Sequence, residues 1–390
     1  MRGTVAGAIA IATLAWGGVW GGAFLAAHPA TRVARSGQGA PAERPQLAEE
    51  VFKNVQLLKG IPVKEFMGTM GMFSASLGLN CTDCHVEEAG GNWARYADET
   101  DLKRTARRMM TMVDSLNKSM FGGRRLVSCY SCHRGTNRPQ VIPQLDVQYG
   151  EAIILEPDEI LADGTGQPKA EEILDKYIEA IGGAQRLAGI TSFVARGMYM
   201  GFDDYQKYPV EVYGQAPGRR TTIMHGAFGD ITWAFDGRNG WAAAPSVTAP
   251  VPVVPLTGGE LGGARVEAEL AFPARLKQML VEWRVGDPAI INDQELQVVQ
   301  GRLAPGGPPI KLYFDPMTGL LSRLVYYNDT PVGRIPTQID YSDYRDVSGV
   351  RMPFKWTTTW TDGRMIFEMS SVQPNVPVDA RRFVRPAPPA

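Results

Sequence analysis

The chain has 390 residues, 44% of them hydrophobic, which is enough for two or three packed domains and excludes a disordered tail protein. Forty Lys and Arg scatter among 41 Asp and Glu for a net charge of −1. No basic field is available for nucleic acid, and charge names no other partner.

The first thirty residues, MRGTVAGAIAIATLAWGGVWGGAFLAAHPA, carry one arginine and no further charge before Arg32. Such a run directs export and is long enough to cross a bilayer once. Residues 1–30 are therefore either a signal peptide or a retained membrane anchor, and the apolar run of residues 5–27 exceeds the usual signal-peptide centre. The expected location is periplasmic, with attachment to the inner membrane if the segment is kept. The absence of a cysteine near residue 28 speaks against a lipid-modified N-terminus. Residues 31–46, rich in Gly, Pro, Ala and charge, read as a linker.

Residues 47–150 read as the first domain, and 47–135 show helical periodicity. A helix opens after Pro62 with the stripe Val63, Phe66, Met67, Met70 and Phe73, and CTDCH follows at residues 81–85. Glycines at 68 and 71 suggest that a flat group approaches this helix closely. A second helix has Asp101 as N-cap, the stripe Leu102, Ala106, Met109, Val113, Leu116 and Met120, and a stop at Gly122 and Gly123. CYSCH follows at residues 129–133. A second linker spans 151–168. From 169 to 390 one helix, AEEILDKYIEAIGG, precedes about ten strand candidates divided by turn residues, with a long loop expected at 245–265. The fold class is multidomain α+β: a mainly α domain, then an antiparallel β domain.

The two CxxCH stretches use all four cysteines, Cys81, Cys84, Cys129 and Cys132, and two of the four histidines, His85 and His133. Each pair of thiols suits addition to the vinyl groups of haem, with the adjacent imidazole reaching the iron. Paired zinc knuckles are the alternative, but they leave both histidines unexplained. The expected cofactors are two covalently attached haem c. The opposite iron face needs its own ligand, and methionines abound between 67 and 120. Met110 shares a face with Lys103, Arg107, Asp114 and Asn117, read as the solvated side, so Met109 is preferred on the second helix. On the first helix geometry leaves Met67 and Met70 open. His225 reads as a loop histidine, and Asp236 and Asp315 as turn residues.

The segment from NVQ through EFMGTM to CTDCH, followed by ARRMM and CYSCHRG, resembles the photosynthetic reaction-centre cytochrome c subunit family over residues 50–145. The resemblance implies a preceding helix that supplies an axial methionine to each haem, and residue-by-residue matching puts these on Met70 and Met109. His85 and His133 are then the proximal ligands. Family members usually bind four haems, so two motifs imply one half of that domain, and the resemblance leaves photosynthetic and respiratory roles open. The implied function is electron transfer between redox partner proteins, a membrane complex or soluble carrier, rather than catalysis. A dihaem peroxidase is the alternative, and it requires one iron to be left open.

In residues 169–390, the stretches AIGGAQRL, AFDGRNGW, LYFDPMTGLL, DYRDVSGVRMP and VDARRF loosely resemble the outer-membrane lipoprotein-carrier fold, a curved antiparallel half-barrel with helices. That resemblance implies a binding module for a lipid, a quinone or a partner protein. Phe235, Trp241, Tyr313, Phe314 and Trp356 are candidate lining residues, although alternating aromatics more often form the sheet's own core.

Overall fold

The computed structural model describes residues 43–145, 163–202, 204–279 and 281–389, and residues 42–390 form one compact unit. The expected export segment, with His28, and most of both linkers lie outside the described residues. Among the described residues no helix is long and apolar enough to cross a membrane.

Helix α1 (Ala48–Val51) is a single turn ahead of α2 (Val63–Leu77), which starts at Pro62 and stops at Gly78, a left-handed residue with φ 63°. Next come α3 (Cys81–Cys84), two 3-10 turns, the long α4 (Asp101–Met120) and α5 (Cys129–His133). The N-cap of α4 is Thr100, whose hydroxyl accepts from the Lys103 amide, and Asp101 is the first helical residue. Gly135 N donates to Ser76 O at 2.9 Å, so the end of the second CxxCH is tied to the end of α2.

Helix α6 (Ala170–Ala180) and helix α7 (Ala184–Ala188) lead into the sheet. Its first half is β1 (Ser192–Met200), β2 (Tyr208–Gln215), β3 (Arg219–Gly226), β4 (Gly229–Phe235), β5 (Gly240–Ala243) and β6 (Val253–Pro255). Helices α8 (Gly258–Leu270) and α9 (Leu276–Met279) intervene before β7 (Val281–Val285), β8 (Ala289–Ile291), β9 (Gln294–Arg302) and β10 (Pro309–Phe314). Four long strands close the chain: β11 (Leu321–Thr330), β12 (Gly333–Val347), β13 (Val350–Trp360) and β14 (Gly363–Pro374). Every pairing is antiparallel, and β1 joins the two halves by pairing with both β2 and β14. The result is an open antiparallel sheet with few helices.

One face of the sheet and α6, α8 and α9 share the main core, where Leu174, Val266, Leu276, Leu312, Leu324 and Phe367 are buried. The loop expected at 245–265 is in part a strand and a helix. Four glycines in GGELGGARVEAEL conceal α8 because glycine disfavours helices. Their role is close approach: a Cβ on Gly259 would stand 1.9 Å from Tyr327 O, and one on Gly263 would enter the Tyr326 ring at 2.3 Å.

A candidate haem-attachment site

Both CxxCH stretches fold as short capped helices. Asn80 Oδ1 accepts from Asp83 N at 3.0 Å, and Asp83 Oδ2 accepts from Asn80 N at 2.8 Å. In the second stretch Ser131 Oγ accepts from Ser128 N at 3.1 Å. The cap satisfies amides that such short helices leave open, so both cysteines of each stretch are held one turn apart. All four thiols are free.

The histidines repeat as well. His85 Nδ1 lies 3.0 Å from Tyr96 O, and His133 Nδ1 lies 3.0 Å from Thr136 O. A carbonyl only accepts, so Nδ1 carries the proton in both rings and Nε2 keeps its lone pair for a metal. Burial, ahead of the Lys103 charge, holds the His85 imidazole below the ordinary histidine value, which favours this neutral form. Burial also pushes the Cys81, Cys84 and Cys129 thiols up.

The first stretch borders a largely apolar cavity of about 440 Å³, within the range of cofactor pockets. Helix α2 contributes Phe66, Met67, Met70 and Phe73 to its wall, and Trp93 and Tyr96 stack at 5.2 Å on another side. Cys81, Cys84 and His85 are among the residues that line this space. These residues fit a covalently held porphyrin: two thiols, one imidazole with a free Nε2, thioethers on the α2 wall and an apolar lining.

Met67 and Met70 both line the cavity, so the structure leaves the choice the sequence left. Met110 lines it too, which corrects the reading of its helix face as solvated. Asn117, on that same face, is only 7% exposed and binds the backbone of Leu126 and Val127 through three hydrogen bonds. Lys103 Nζ donates to Tyr96 O and Asp98 O. Polar side chains here serve the interior, and polarity alone misassigned the face. Met109, next in the chain, is half-buried on α4, and Leu102 and Met120 of the same stripe are exposed.

Gly68 and Gly71 do not face the cavity. A Cβ on Gly68 would meet Ile335 Cδ1 at 2.9 Å, and one on Gly71 would meet Thr361 Oγ1 at 2.7 Å and Asp362 Cγ at 2.9 Å. Helix α2 therefore has two working faces, one lining the cavity and one set against the β11–β12 and β13–β14 turns. Trp93 Nε1 donates to Ser246 O at 2.9 Å, Arg125 Nη1 to Thr330 O at 2.5 Å, and Pro250 and Asp362 complete the cavity wall. Sequence reasoning missed these contributors because only tertiary contact reveals them.

Elsewhere, His225 belongs to strand β3 rather than to a loop, and its Nδ1 is satisfied by Asp230 Oδ1 at 2.8 Å across the β3–β4 pair; Asp236 and Asp315 accept turn amides as expected. The five aromatics proposed to line a β-domain pocket are all buried but do not share one space. Phe314 joins the main core, whereas Tyr313 points into a cluster on the opposite face. Of the five, only Trp356 borders the cavity within the half-barrel, which measures about 100 Å³ and contains the Arg220–Glu267 pair at 2.6 Å.

Residues 23–152 match the model of the family described as photosynthetic reaction centre cytochrome C subunit. The reaction center cytochrome c subunit of Thermochromatium tepidum is 38% identical over 97 residues, covering 24% of this chain and 23% of that protein. Its counterpart from Roseobacter denitrificans is 30% identical over 105 residues, covering 25% and 28%. A solved LolA superfamily protein from Nitrosomonas europaea aligns over 56% of this chain and 98% of its own, at 14% identity and a TM-score of 0.38. The chain spans about a quarter of the length of the curated relatives it matches. Its helical segment, with both CxxCH stretches, resembles the reaction-centre cytochrome c subunits.

Proposed function

We propose that the protein is an exported dihaem c-type cytochrome that carries electrons between redox partners. The observation that carries this reading is the repeated unit: a capped CxxCH helix whose histidine commits Nδ1 to a backbone carbonyl and keeps Nε2 free. Cys81 and Cys84 anchor the first haem and Cys129 and Cys132 the second. His85 and His133, together with Met70 and Met109, would hold the irons. Met109 follows from its match to the resembled family, while its neighbour Met110 lines the first cavity and packs in the same cluster as Cys129.

Haem c supplies one-electron chemistry when bound. The protein fixes the imidazole tautomer, excludes water from the first site with the α2 wall, and closes each iron with a thioether. In the β domain a cavity of about 100 Å³ is small for an acyl chain, whereas its turns pack on the haem-attachment segment. Support of that segment is accordingly the favoured role of the β domain, ahead of lipid or quinone binding.

The test is addition of carbon monoxide to the reduced protein at neutral pH. Unchanged ferrous spectra and two reversible one-electron steps are expected; prompt binding at either haem would overturn the closed-iron electron carrier in favour of a peroxidase-type site.

A further inference from the structure

Asp362 stands in the two-residue turn between β13 and β14, far from either CxxCH in sequence, yet it forms part of the wall of the first cavity together with Cys81, Cys84 and His85. Contact with α2 fixes its carboxyl group. It presses on Gly71, where a Cβ would come within 2.9 Å of Cγ and Oδ1, next to Met70 in the chain. Its turn neighbour Thr361 stands at the same place, with Oγ1 2.7 Å from that Cβ position, so the turn is seated on α2. Burial pushes the Asp362 carboxyl up, and Lys64, paired with Glu260 at 3.4 Å, works against that shift and favours the charged form. The carboxyl is close enough to Cys81 for its charge to disfavour the thiolate there.

We infer that Asp362 is a positioning residue of the β domain that sets the reduction potential of the first haem, by holding a fixed negative charge at the edge of an apolar site. A neighbouring carboxylate stabilises the ferric over the ferrous state, and low polarizability around it strengthens the effect. The β domain thereby makes two chemically similar haems unequal. This inference rests on haem attachment at Cys81 and Cys84 and goes beyond it.

The experiment is a spectroscopic redox titration of native protein and of Asp362→Asn, well above the carboxylate pKa range. Haem content is measured on the same samples, and the first haem's step is identified by its loss in the Cys81→Ala, Cys84→Ala double variant. With both haems retained, the variant's ferrous-to-ferric ratio at the first haem should rise about tenfold at fixed potential, about 59 mV for a one-electron couple. The second step should move much less, and Asp362→Glu should restore the native value. An unmoved first step, equal movement of both steps, or an equal shift in Asp362→Glu would overturn the inference. If Asp362→Asn fails to accumulate, Asp362→Ser is read by the same criteria. A native chain without haem would instead sink the cytochrome reading itself.

Discussion

The two CxxCH stretches are built alike and housed differently. Each is a capped helix with free thiols and a histidine tied by Nδ1 to a carbonyl. The first lies against an apolar cavity walled by α2, α4, two stacked aromatics and turns of the β domain, and His85 is half-buried. In and after the second, Leu126, Tyr130, Val141 and Ile142 are exposed, whereas the units themselves match in exposure: Cys81 and Cys132 are exposed, and His133 is half-buried like His85. Local sequence is sufficient to make the attachment unit, but the surroundings that tune it come from distant segments. With the proposed haems attached, two similar units would carry unequal potentials.

Replacing Met70 with His sharpens this comparison most. It should lower the first haem's potential by on the order of 0.1 V while leaving the second step and both attachments in place, as a potentiometric titration would show. An unchanged first step would move the ligand to Met67. The next largest effect comes from Gly71→Val, which forces a side chain into Thr361 and Asp362 and weakens the docking of α2 on the sheet turns. The expected cost is about 1–3 kcal/mol in thermal or denaturant unfolding. Asn117→Ala should act on the second site, because it leaves the amides of Leu126 and Val127 without their acceptor just ahead of Cys129. A loss of about 1–2 kcal/mol and faster amide exchange at residues 124–128 are expected, with the first haem's step unmoved.

Spacing made much of this legible. The CxxCH stretches, the long helices after Pro62 and near Asp101, and the antiparallel character of the second half all stand in the sequence, because periodicity and turn residues act locally. Helix α8 did not, since its glycines oppose helix formation and serve contact with Tyr326 and Tyr327 instead. The faces of α2 and α4 were half legible. An apolar stripe reveals that something covers it, yet the same stripe serves a cofactor or a protein neighbour. Hence Gly68 and Gly71 were expected to face a flat group and instead meet β-domain turns, and Met110 was expected on the water side and lines the cavity. Pro250 and Asp362 carry no sequence signal of their site at all.

The most direct measurement is the number of covalent haems per chain, from the intact mass of the purified protein together with its alkaline pyridine spectrum. Two thioether-linked haems per chain are predicted, falling to one when either cysteine pair is replaced. A native chain of bare polypeptide mass, or one carrying zinc at these four thiols, would contradict the account.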